Sequence, residues 1–166
     1  MFTLRCTAKL LKRLKVSPDP TPPRSTTKLG DWYANLLYVG RQQLVLCVSE
    51  VTLLPVLLRA RGAEPLVARL PSAVAEVLAA LGVPDRAVRE ETAEMNDVTI
   101  AATASRTVLG SMNDFAYLLE GYWEPPATLL DVALQIADSP CSPLKMERPR
   151  DVAVERLARP ALSLVK

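Results

Sequence analysis

The stretch DWYANLLYVGRQQLVLCVSEVTLLPVLLR, residues 31–59, decides the fold. Trp32, Ala34, Leu36 and Tyr38 alternate with their neighbours at a period of two, which predicts a strand. Gly40-Arg41 supplies a turn, and Gln43 to Val48 reads as the return strand of a hairpin. Glu50 to Thr52 turns the chain again into Leu53 to Arg59, giving a meander rich in Val and Leu that must be covered on both faces.

Helices on either side supply that cover. Upstream, Phe2, Leu4 and Cys6 alternate with Thr3, Arg5 and Thr7 as a short strand with one buried face. In Ala8 to Val16 the leucines 10, 11 and 14 share one helical side, while Lys12, Arg13 and Lys15 take the other. Pro18, Pro20, Pro22 and Pro23 predict an extended proline-rich linker over 17–29. Downstream, Pro71-Ser72 opens a helix that Gly82 closes, and Pro84 starts another running to Met95. Val98 to Thr103 returns to strand, Ser105 caps a helix over 106–120, and Thr128 with Asp131 makes a capping box for a helix to Asp138. Asp151 to Arg159 forms a last helix, with a short apolar tail beyond Pro160. The expectation is one α+β domain over 1–166, an antiparallel sheet of four or five strands covered by four to six helices, with a C-terminal helix and tail over 150–166.

Composition excludes more function than it suggests. The 166 residues contain no histidine, which removes the commonest general base and metal ligand, and with it any Ser-His or Cys-His mechanism. Cys6, Cys47 and Cys141 form no Cys-x-x-Cys pair and read as reduced, buried thiols. The six glycines make neither a dinucleotide fingerprint nor a P-loop. No cofactor and no metal is therefore expected, although Glu90, Glu91, Glu94 and Asp97 with Asp114 are a conceivable Mg²⁺ set. The most apolar window, Leu44 to Leu58, is short and interrupted by Glu50 and Pro55, and Asn35, Asn96 and Asn113 are not glycosylation acceptors. A cytoplasmic protein that does not enter membranes is expected.

Two surfaces remain as candidates. Residues 1–30 hold seven bases against one acid, a local charge of +6 in a chain of +2, so the remainder sums to −4. Arg5, Lys12, Arg13 and Lys15 could meet a phosphate backbone, or could be a solvated helix face. Trp32, Asn35 and Arg41 on the hairpin add aromatic and polar groups that could bind or brace. The other surface lies on the helix 106–120, where Arg106, Asn113 and Asp114 gather around Gly110 opposite the apolar stripe. The leading expectation is an intracellular binding or regulatory module, not an enzyme, whose partner is nucleic acid or another protein. The alternative is a small hydrolase or transferase in which Arg106 holds an anion and Asp114 acts as base. The tail Ala161 to Val165 could serve homo-oligomerisation.

The blocks RCTAKLLKRLKV, LGDWYANLLYVGRQQLVLCV and RTVLGSMNDFAYLL resemble an uncharacterised bacterial family, a domain of unknown function. The resemblance covers most of residues 2–145. It implies a small stand-alone intracellular domain and brings no activity, cofactor or catalytic residue with it. It directs attention to Asp31, Trp32, Asn35, Arg41, Arg106, Asn113 and Asp114, the polar and aromatic members of those blocks.

Overall fold

The structure, a computed structural model, describes residues 1–124 and 127–159. Five strands, β1 (Phe2–Cys6), β2 (Trp32–Val39), β3 (Gln42–Ser49), β4 (Pro55–Arg59) and β5 (Val98–Ala102), form one sheet in the order β4-β3-β2-β1-β5. Among the described residues six helices pack around it: α1 (Ala8–Leu14), α2 (Leu66–Ala80), α3 (Asp85–Ala93), α4 (Arg106–Tyr122), α5 (Leu129–Ala137) and α6 (Pro149–Ala158). The chain is α+β with a single sheet, and that sheet is mixed. β2, β3 and β4 are the antiparallel meander, but β1 runs parallel to both of its neighbours, β2 and β5. The expected all-antiparallel sheet is therefore corrected. Residues 7–31 form a connection containing a whole helix, and a crossover of that length returns the chain to the same end of the sheet.

β1 is an interior strand. Phe2, Leu4 and Cys6 are buried on one face. On the other, Thr3 is just as buried, because the proline-rich segment is strapped across the sheet rather than left as a free linker. The Asp19 amide donates to the Ile100 carbonyl at 2.7 Å, and the Thr3 hydroxyl donates to the Pro23 carbonyl at 3.3 Å. The Thr3 amide donates to Ser25 Oγ at 3.1 Å, and the Thr26 amide to the Met1 carbonyl at 2.9 Å. Proline suits such a strap: its fixed φ lowers the entropy lost on ordering, and it lacks the N–H that would need a partner there.

At the end of the strap, Glu91 of α3 accepts hydrogen bonds from the amides of Lys28 (2.8 Å) and Leu29 (3.0 Å). Glu91 is buried, and burial pushes its carboxyl pKa upward, more than the two amides and Lys28 pull it down; Glu94 adds to the rise. A pKa higher in the fold than in the unfolded chain means that the fold holds the proton more tightly. The stability Glu91 contributes is full below about 4.5 and is lost as pH rises through the folded value. Urea midpoints between pH 4.5 and 7 should therefore fall more for the wild type than for Glu91→Gln; parallel pH profiles would contradict this.

Gly30 follows with φ +76°, and an added Cβ would stand 2.7 Å from Val51 Cγ2. Gly30→Ala should cost about 1–2 kcal/mol in urea unfolding, since both the left-handed backbone and the contact oppose it.

Of the boundaries that differ from the sequence reading, three have a clear physical cause. β4 begins at Pro55 rather than Leu53, because Leu53 takes φ +58° in a turn where Ser49 Oγ accepts from the Thr52 amide and hydroxyl. α2 begins at Leu66 and contains Pro71, its buried stripe of Leu66, Leu70, Val74, Val77 and Leu78 outweighing the lost amide. α6 begins at Pro149, a residue suited to the first helical position. The expected caps at Ser105 and at Thr128 with Asp131 are present. The edge strand β4 is shielded by α2 and α5, and Arg69 of α2 donates to its Arg59 carbonyl at 3.0 Å.

Candidate polyanion-binding rim

The hairpin end of the sheet collects cations. Ladder partners point to the same side of a sheet, so Tyr38 and its partner Gln43 lie on one face, and Gln42, Val39 and Arg59 lie on the other. α1 packs on the first of these faces, where Lys9 Nζ sits 5.1 Å from the centroid of the exposed Tyr38 ring. One helical turn on, Arg13 Nη1 donates to Gln43 Oε1 at 2.7 Å. On the opposite face Arg59 Nη1 donates to Gln42 Oε1 at 2.5 Å. Exposed Arg41 occupies the turn between them, and Arg41, Gln42, Gln43, Arg59 and Arg61 line a surface cavity of about 370 Å³. Arg69 completes the series, its Nε and Nη1 donating to the carbonyls of Glu64 and Arg59 at 3.0 Å each.

Lys9, Arg13, Arg59 and Arg69 are held in place without being neutralised. Gln42 and Gln43 offer neutral amide oxygens, and Arg69 bonds to backbone carbonyls. Among the described residues, neither Lys9, Lys12, Arg13 and Lys15 of the α1 region nor Arg41, Arg59, Arg61 and Arg69 makes an ion pair. By contrast Arg86, Arg89, Arg148, Arg150 and Arg159 all face carboxylates. An arginine with one or two of its five N–H donors used for orientation keeps the others, and its full charge, for a ligand.

The opposite end of the sheet holds charges of both signs, its acids standing beside the Met1 ammonium, Arg5 and Lys28. The Asp31 carbonyl takes the Glu50 amide where β2 begins, the Asp97 carbonyl takes the Phe2 amide where β1 begins, and Glu94 lies 3.4 Å from the Met1 ammonium. β2, eight residues long, sets the two ends roughly 26 Å apart, so the unpaired cations at the hairpin end are remote from these acids.

Other sequence-predicted site residues have structural partners or lie elsewhere. Arg5 is tied to Asp31, Nε to Oδ2 at 2.8 Å, and to the Ala102 carbonyl at 3.0 Å, far down the sheet from the hairpin turn. Trp32 is fully buried, so it offers no stacking face to a ligand, and its Nε1 has no partner among the described residues. Asn35 Oδ1 accepts from the Thr7 hydroxyl at 2.7 Å and helps fix the entry to α1. Arg13 reaches the rim through Gln43 and Arg41 lines its cavity, whereas Lys12 is an exposed residue of α1 and Lys15 is exposed at that helix's left-handed C-cap.

Arg106, Asn113 and Asp114 are all exposed on α4. Asp114 lines a cavity of about 270 Å³ with Ser111, Phe115, Cys141 and Met146, and neither Arg106 nor Asn113 reaches it. The three cysteines are buried; burial raises Cys6 to about 12 and pushes Cys47 and Cys141 upward as well, so none is a ready thiolate at neutral pH. Among the described residues no three Cys, Asp or Glu side chains stand close enough to hold a metal: Glu91 serves the strap, Glu90 pairs with Arg86, and Asp114 is on another helix. None of the described helices is long and apolar enough to cross a membrane. The apolar tail lies outside the described residues.

Sequence reading missed Arg59, Arg61 and Arg69. The local signal of Arg59 and Arg61 is R-A-R at the end of a strand, and the sheet order brings them to Arg41; Arg69 reaches them from α2.

Fold and rim together define the chain as a small histidine-free α+β domain with a cluster of unpaired cations at the hairpin end of a mixed sheet. It belongs to the family of the domain of unknown function DUF6933, whose model matches residues 3–152. No curated protein matches the chain. No solved structure matches it either.

Proposed function

We propose that the protein is a non-enzymatic module that binds the phosphate backbone of nucleic acid, without reading sequence, through the rim at the hairpin end of its sheet. The observation that carries this reading is a run of oriented arginines and lysines, on both faces of the sheet and in its turn, with no carboxylate paired to them. Phosphates arrive at regular spacing on a polyanion, and neutralising several at once releases counterions, which is where such binding draws its free energy. Neutral glutamine anchors favour this use over a structural one, since cations that only brace a fold are commonly met by acids, as at Arg5 and Asp31.

A transferase or hydrolase reading centred on Arg106, Asn113 and Asp114 has less support, because these side chains share no cavity. The test is fluorescence polarisation of labelled single- and double-stranded oligonucleotides at low salt. Binding should be lost in Lys12→Glu/Arg13→Glu and retained in Asp114→Asn. Intact binding after the double reversal would sink the proposal.

A further inference from the structure

We propose a second, small-molecule site: the cleft between β4, α2 and the first turn of α5 takes an anionic amphiphile, a monocarboxylate with a linear hydrocarbon chain. The cleft has a volume of about 480 Å³, within the size range of ligand pockets. Val56, Leu58, Ala73, Val77, Leu129 and Leu130 give it apolar walls. Arg59, Arg61 and Arg69 stand on the same cleft, facing a single carboxylate, Glu76.

Apolar walls with arginines alongside are complementary to one anionic head on a hydrocarbon body, and to little else. A sugar phosphate or nucleotide would leave its hydroxyls unpaired against leucine and valine. The arginine positions are built rather than accidental. Arg69 uses Nε and Nη1 on two carbonyls and lies over Gly62, where an added Cβ would stand 2.9 Å from its Cζ. Its Nη2 and the whole Arg61 guanidinium have no partner among the described residues, so both are available for a carboxylate.

The test is isothermal titration of the intact protein with decanoate below its micelle concentration, with butyrate and decanol as the arms lacking tail or charge. Decanoate should bind at one site. Butyrate should bind at least about a hundredfold more weakly, since it leaves the apolar walls uncovered. Decanol and the Arg61→Gln variant with decanoate should each bind about tenfold more weakly. Amide shifts in wild-type protein should concentrate in β4, α2 and the start of α5, a readout that needs no variant. Butyrate or decanol binding as tightly as decanoate, shifts spread over other surfaces, or no binding would overturn the proposal. Lys12→Glu/Arg13→Glu leaves the cleft untouched and should bind decanoate normally, so failure of the nucleic-acid reading is separable from failure here.

Discussion

Replacing Arg41 and Arg59 together by glutamate is expected to weaken binding of a short duplex by about a hundredfold or more at about 0.1 M salt. Each phosphate contact contributes close to one decade of affinity at that salt through released counterions, and two contacts are removed. The two new carboxylates add repulsion. Neither arginine braces the fold through its charge: Arg41 is an exposed turn residue, and the Arg59 side chain bonds only the Gln42 amide. The melting temperature should therefore move little, which separates lost binding from lost folding. Polarisation titrations and a thermal melt on the same sample check both statements. A double reversal that binds within threefold of wild type would remove the rim from the account.

The largest effect on stability is expected at the other end of the sheet. Asp31→Ala should destabilise the domain by about 3 kcal/mol, the low end of the cost of breaking a buried ion pair. The side chains of Arg5 and Asp31 are only 20% and 12% exposed, so neither is well hydrated once its partner is gone. Asp31 also accepts a short hydrogen bond from the Ser25 hydroxyl, which in turn takes the Thr3 amide. Loss of the carboxylate leaves a guanidinium with only the Ala102 carbonyl, and unpins the strap from β1. Against a typical total of 5–15 kcal/mol this is a large fraction, worth roughly 6–12 °C in melting temperature. The combined change Arg5→Met/Asp31→Leu should recover most of it, because a partly buried pair replaced by apolar groups leaves no orphaned charge. Equal melting temperatures for wild type and Asp31→Ala would show that the strap is held by something else.

Local patterns carried much of the fold. The meander 31–59 was legible because turn residues at Gly40-Arg41 separate two runs whose alternation has a period of two. The helices over 106–120 and after Thr128 announced themselves through side-chain caps, which are local chemistry. What could not be read was anything that depends on distant partners. β1 alternates like an exposed-face strand, yet its polar face is buried under residues 19–26, a fact that belongs to tertiary packing. Its parallel pairing follows from a crossover whose return path no local pattern specifies. The proline-rich stretch looks like a linker for the same reason: its hydrogen bonds run to β1 and β5, not to its neighbours.

The candidate site divides along the same line. Lys12, Arg13 and Arg41 stood out as bases in the sequence, but the meeting of Arg41 with Arg59 and Arg61 exists only once β4 is laid beside β3, and that of Arg69 with Arg59 and Arg61 once α2 folds back along it. Trp32 and Arg5 drew attention as functional types, and both serve the interior.

The central claim is that several rim cations meet phosphates at once, and the dependence of affinity on salt measures that number directly. A log–log plot of the association constant against salt concentration should be linear with a slope of about −3 to −5, and Arg41→Glu/Arg59→Glu should flatten it by about two. A wild-type slope shallower than about −1, or one the double reversal leaves unchanged, would contradict the account.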